Sequence, residues 1–182
     1  MIRLNNDRLR QIAVVGSSGT DELVLTSAFD PNRTLNSRFA ATGLAVIPTD
    51  IHEHVLDLTT ELVNAQLAGD MRDVWKLYDA LVTYSDAVAA EGRDHPFLWE
   101  TLGDFTADDR KALVHYARAL ELAENLAAAD YKASICLALA RRHAELKEAD
   151  TASAYAWRAD AAARELDDLD LRREISQFLL DL

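Results

Sequence analysis

Along most of the chain the apolar residues return every three or four positions. Val55, Leu58, Leu62, Ala65 and Leu67 keep that spacing up to Gly69, and Val74, Leu77, Tyr78, Leu81 and Val88 keep it up to Gly92. The pattern predicts two amphipathic helices. Pro48-Thr49-Asp50 opens the first, with Thr49 or Asp50 as N-cap, and Gly92 suits the C′ position that closes the second. A short helix is expected over 95–102 and a long one over 107–127, where Thr106 and Asp109 resemble a capping box. A last hairpin pairs 131–147 with 151–167, and 170–182 adds a helix carrying Leu171, Ile175, Phe178, Leu179 and Leu182.

The first 48 residues follow a different period. Ile12-Ala13-Val14-Val15 is a β-prone run, and Leu23, Leu25, Ser27 and Phe29 alternate with Val24, Thr26 and Ala28. The two runs flank Gly16-Ser17-Ser18-Gly19-Thr20, so a β-hairpin extension is expected over 1–48, with the helical region at 49–182. A strand before a Gly-rich loop could also cradle phosphate. Gly16 and Gly19 supply only G-x-x-G, however, without a Walker lysine or a third glycine, and the helices begin too soon afterwards for a nucleotide fold.

Within the helical region one phrase recurs. It reads Gly69-Asp70-Met71-Arg72-Asp73-Val74-Trp75-Lys76-Leu77-Tyr78-Asp79-Ala80-Leu81, returns as Gly103-Asp104-Phe105 with Arg110 to Leu120, and returns more loosely from Ala149 to Arg158. Each copy is expected to be a tight turn running into a helix. Repetition at a period of this size points to stacked helical hairpins, each burying its apolar face against its neighbours. These residues resemble the tetratricopeptide repeat family over roughly 50–166. The matches are Gly69 to Leu81, then Gly103 with Ala112, Tyr116 and Ala119, and weakly Ala154, Arg158 and Ala161. The copies lie 38 residues apart from Val74 to Ala112 and 42 from Ala112 to Ala154, against the family's usual spacing of about 34. Glu124 stands where the family places a proline, and Pro96 shortens the first helix of the middle copy. The resemblance implies a divergent member: an α-α superhelix of hairpins with a terminal capping helix, whose first helices line a concave protein-binding groove. A helical bundle with accidental repeats is the competing architecture.

Composition narrows the function. With 49% hydrophobic and 27% charged residues, a packed core is expected rather than global disorder. The net charge of −12 argues against nucleic acid, whose phosphates are gripped by clustered Lys and Arg, and suits a basic partner. The single cysteine, Cys136, cannot form an internal disulfide, and its apolar setting suggests a buried structural thiol. The start lacks the apolar core of a signal peptide and no run is long enough to span a bilayer, so a cytoplasmic location is expected.

Few residues offer chemistry. Arg110 and His115 match the R-x4-H spacing and look like the pattern of HEPN-type ribonucleases, where Arg and His converge on a phosphodiester. On one helix, though, positions five apart do not share a face. His52 and His54 project apart, unlike metal ligands three or four apart, and no third ligand stands near. The acidic runs 108–109 and 165–170 lack the alternation and central glycine of a calcium loop. Trp75, Trp99, Trp157, Tyr78, Tyr116 and Tyr155 are expected between hairpins in the core.

The remaining candidates line the expected groove: Asn64 and Gln66 on the first helix, and Arg141, Arg142 and His143, a basic island that could grip a partner's carboxylates or else pair with Glu145, Glu148 or Asp150. Charge reversal at Arg141 and Arg142 is then expected to weaken partner binding more than at Arg8 and Arg10. The expectation is a non-enzymatic module that binds one protein partner, such as an immunity protein neutralising a basic toxin. No cofactor, metal, membrane or nucleic acid is expected. Alternatives are a secretion chaperone or adaptor, the ribonuclease, and a homo-oligomer assembling through the 11–29 hairpin.

Overall fold

The computed structural model describes residues 46–182, all within one compact unit, Leu44–Leu182. The expected hairpin at 11–29 and the Gly16–Gly19 loop lie outside the described residues. Among the described residues seven helices follow one another: α1 (Thr49–Ala68), α2 (Met71–Ala90), α3 (Pro96–Phe105), α4 (Asp109–Asn125), α5 (Ala129–Glu145), α6 (Ala149–Ala163) and α7 (Leu169–Asp181). No strand occurs among the described residues, and the unit is mostly α.

Local chemistry explains most of the boundaries. Gly69 adopts φ +73°, and the amides of Gly69 and Asp70 close onto the carbonyls of Gln66 and Ala65, the Schellman arrangement that ends α1. Asp70 then caps α2, accepting from the amides of Arg72 and Asp73 at 3.1 Å. Gly92 ends α2 with φ +72°. His95 caps α3 through Nδ1, 3.2 Å from the Phe97 amide, with Pro96 at the first helical position.

Two expected caps are corrected. Pro48 stands at the N-cap of α1, so Thr49 and Asp50 lie inside the helix. There Asp50 meets Arg93, which holds its carboxyl below the usual range. Asp108 rather than Thr106 caps α4, accepting from the Lys111 amide at 3.0 Å. The Thr106 hydroxyl donates to the Leu102 carbonyl at 2.6 Å and shares a 2.7 Å hydrogen bond with the Tyr78 hydroxyl, which leaves it no role in opening α4.

Each helix packs on the next in the chain, with α2 on α3 the thinnest of these seams and α3 also reaching α5. The second helices of the hairpins share one register, counted from the N-caps Asp70, Asp108 and Glu148. Positions four, eight and eleven on are Val74, Tyr78 and Leu81 in α2, Ala112, Tyr116 and Ala119 in α4, and Ala152, Ala156 and Ala159 in α6. In α4 and α6 all of these are buried. The third copy is therefore anchored two residues earlier than the expected Ala154, Arg158 and Ala161, all three of which are exposed. Small residues at these positions let helices approach closely, and α5 is enclosed enough that every residue from Ile135 to Ala140 is buried.

Gly103 also departs from expectation. It lies inside α3 rather than in a turn, and a Cβ there would stand 2.6 Å from Tyr116 Cε1. The glycine lets α3 and α4 meet across the Tyr116 ring. The aromatic set divides as well. Tyr116 is buried, whereas Trp75 and Trp157 are 58% and 57% exposed and do not belong to the core. Each sits on the outward side of its helix, away from the positions four, eight and eleven that meet the neighbours.

Candidate partner-binding faces

The basic island on α5 consists of three side chains with three separate intramolecular tasks. Arg141 Nη2 lies 2.7 Å from Glu174 Oε1 on α7, and its guanidinium stands over the Phe178 ring at 6.0 Å. Arg142 points the other way, with only 12% of its side chain exposed. It pairs with Asp109 at 2.7 Å and donates to the carbonyls of Gly103 and Thr106 at 3.1 Å. One guanidinium thus closes the C-terminal end of α3 and binds the first turn of α4, which uses the forked geometry that lysine lacks. His143 Nδ1 lies 2.6 Å from Glu148 Oε2, and its ring stacks on Tyr155 at 5.4 Å. Glu148 also receives Arg110 at 2.5 Å, and His143 and Arg110 together lower its pKa. Of the acids expected to pair with this island, only Glu148 does so. Asp109 and Glu174 reach it from other hairpins.

On α1, Asn64 is exposed on the outward stripe, while Gln66 is half-buried and its Oε1 is enclosed without a hydrogen-bond partner. Asn64 continues a series on that stripe, Glu53, Asp57 and Glu61, all exposed and one helical turn apart. The whole of α1 contains no Lys or Arg.

The other candidates take fold-related contacts. Arg110 reaches forward to the α5–α6 turn, whereas His115 lies against Trp99 on α3, with ring centroids 5.9 Å apart. Burial pushes the His115 pKa down, with Asp86 opposing. The pair therefore engages different neighbours. His52 is buried against Phe97 at 5.5 Å, and the His54 ring lies tilted against Tyr84 at 4.2 Å. Asp108 and Asp168 serve as N-caps, and Asp170 pairs with Arg173. Among the described residues no group of three His, Cys, Asp or Glu is placed to hold a metal ion, and none of the described helices is long and apolar enough to cross a membrane. Burial raises the Cys136 pKa to about 11, which keeps the thiol protonated and unreactive.

No family model, curated protein or solved structure matches this chain.

Sequence reasoning missed the imbalance between the two halves of the helical unit. From Asp94 onward, Arg110, Arg118, Arg141, Arg142, Arg158, Arg164 and Arg173 each meet a carboxylate. On α1 and α2, Asp50 alone is paired, with Arg93, and Glu53, Asp57, Glu61, Asp79 and Asp86 have no ion-pair partner among the described residues. The signal was present in the sequence as the absence of any cation between Thr49 and Ala68.

Proposed function

We propose that this chain is a non-enzymatic protein-binding module, a divergent tetratricopeptide-like α-α superhelix that holds one protein partner along its first helices. The carrying observation is the common register of α2, α4 and α6. Residues four, eight and eleven past the cap are all buried in α4 and α6, and Leu81 is the buried one of the three in α2, the pattern stacked hairpins require. Contacts between alternate helices support the same stacking: His52 with Phe97 from α1 to α3, Arg141 with Glu174 from α5 to α7, and Arg158 with Glu124 from α6 back to α4. On this reading α1, α3, α5 and α7 line the groove. Asn64 and Arg141 are its most accessible expected contacts, and Arg142 and His143 act mainly by fixing its shape. The acidity of the unit favours a basic partner, as an immunity protein would have. A secretion chaperone would instead hold an unfolded amphipathic one.

The test is capture from the native host's lysate on the immobilised full chain, followed by reconstitution from purified components. A single partner that re-forms a stoichiometric complex is expected, and Arg141→Glu should weaken it. No such partner, together with RNA cleavage abolished by Arg110→Ala or His115→Ala in folded protein, would overturn the reading in favour of the ribonuclease.

A further inference from the structure

Around the tip of the α1–α2 hairpin three large apolar residues are exposed. Leu67, in the last turn of α1, is 56% exposed. Met71, just across the Gly69-Asp70 turn, is 41% exposed, and Trp75 follows one helical turn later. On a helix, residues four apart are neighbours, so Met71 and Trp75 form one outward strip. Exposed Trp and Met at one place mark an interaction surface more often than scattered single apolar residues do.

Charge decides what such a surface accepts. Leu67 lies on the same exposed stripe of α1 as Glu53, Asp57, Glu61 and Asn64, so the apolar tip continues an acidic track about one carboxylate per turn. None of those three carboxylates has an ion-pair partner among the described residues, whereas about half of the acids from α4 to α7 meet an arginine. An uncompensated track repels phosphate backbones, anionic lipid surfaces and a second copy of a chain with net charge −12. It attracts a cationic segment. The spacing of the carboxylates matches the rise of another helix lying alongside.

Resting on the binding-module reading, we propose that the exposed face of α1 and the hairpin tip form the docking surface for a cationic amphipathic helix of the partner protein. Its Lys and Arg side chains run along Glu53, Asp57 and Glu61. An apolar or aromatic residue at one end seats against Leu67, Met71 and Trp75. The charges set the direction and speed of approach, and the apolar tip supplies the slow-dissociating anchor.

The probe is a fluorescein-labelled synthetic 18-residue helix of Lys and Leu with one terminal Trp, compared with a scrambled peptide of equal composition that cannot form an amphipathic face. Binding to the full chain is read by anisotropy at low and moderate salt. The amphipathic peptide should bind at least tenfold more tightly than the scrambled one. The triple variant Glu53→Gln, Asp57→Asn, Glu61→Gln should lose at least tenfold and most of the salt dependence. Leu67→Ser with Trp75→Ser should lose at least tenfold while keeping the salt dependence. A control variant on exposed positions elsewhere, Glu145→Gln, Asp150→Asn, Trp157→Ser, should change less than twofold, with circular dichroism melts showing all variants folded. Equal binding of the two peptides, or equal losses in the control and α1 variants, would overturn the proposal. The reading beneath it fails separately: a captured host partner indifferent to the α1 variants removes this surface and leaves the module, whereas no captured partner removes the module.

Discussion

Replacing Gly103 with alanine sets two effects of opposite sign against each other. Alanine is the better helix former, by up to about 1 kcal/mol, and less than that in the last turn of a helix, where Gly103 sits. Against it stands the Tyr116 ring, whose Cε1, Cζ and Cδ1 would lie 2.6, 2.7 and 2.8 Å from the new Cβ. Carbon atoms settle at roughly 3.5 Å or more, so the ring would have to retreat by almost 1 Å. It has little room, being 2% exposed, held by its hydroxyl to Asp104 at 2.7 Å and flanked by the buried Ala112 and Ala119. Overpacking of this kind costs about 1–3 kcal/mol, so steric strain wins and the net loss is about 1–2 kcal/mol. In a chain of this size each kcal/mol lowers Tm by about 2–4 °C. Far-UV circular dichroism during heating and urea titration measures both quantities. In a Tyr116→Leu background the ring is gone, and Gly103→Ala should there become neutral or stabilising. A Gly103→Ala protein melting at or above the parent, or an undiminished loss in the Tyr116→Leu background, would refute the argument.

Further expectations follow from the same contacts. Arg142→Ala leaves Asp109 and two carbonyls unmet and should lower the urea-unfolding free energy by about 2–4 kcal/mol, with Arg142→Lys restoring less than half. Full recovery by lysine would show that charge alone matters. Ala127 and Lys147 adopt φ of 51° and 61°, so Ala127→Gly and Lys147→Gly should each stabilise by about 0.5–1 kcal/mol, read as a higher Tm; a lower Tm would contradict the left-handed turn geometry. Because His115 has a lower pKa folded than unfolded, the unfolded chain binds more protons between those values. Stability should therefore be full above about pH 6.5 and fall as pH drops below it, a slope that His115→Gln should reduce. An unchanged slope would assign the dependence to other groups. Cys136, raised to about 11, should resist a disulfide thiol reagent at pH 8 in native protein and react at once in denaturant. Rapid native reaction would refute its enclosure.

The errors of sequence reasoning have a common form. Gly69 and Gly92 were legible as helix ends because a left-handed residue there is a local requirement. Gly103 looked the same in the phrase Gly-Asp-Phe, yet its reason is Tyr116, thirteen residues away across a helix interface. Thr106 had the right spacing for a cap, but Tyr78 and the Leu102 carbonyl take its hydroxyl. In α6 alanines occupy nearly every side, so the buried face at Ala152, Ala156 and Ala159 leaves no periodic signature to separate it from Ala154 and Ala161. Residue type alone points Trp75 and Trp157 to the core, and only packing turns them outward.

By itself the sequence determined that the chain from about residue 50 is helical, roughly where each helix lies, and that the first hairpin is acidic. Those properties depend on apolar spacing, strong helix formers and capping residues within a turn or two of where they act. Tertiary structure alone decided which face of the alanine-rich helices is buried and what the α5 arginines do. Asp109 lies 33 residues before Arg142, and Glu174 lies 33 after Arg141. A charge's partner is set by which helices the fold brings within a few ångströms, and electrostatic pairing leaves no periodic trace along the chain.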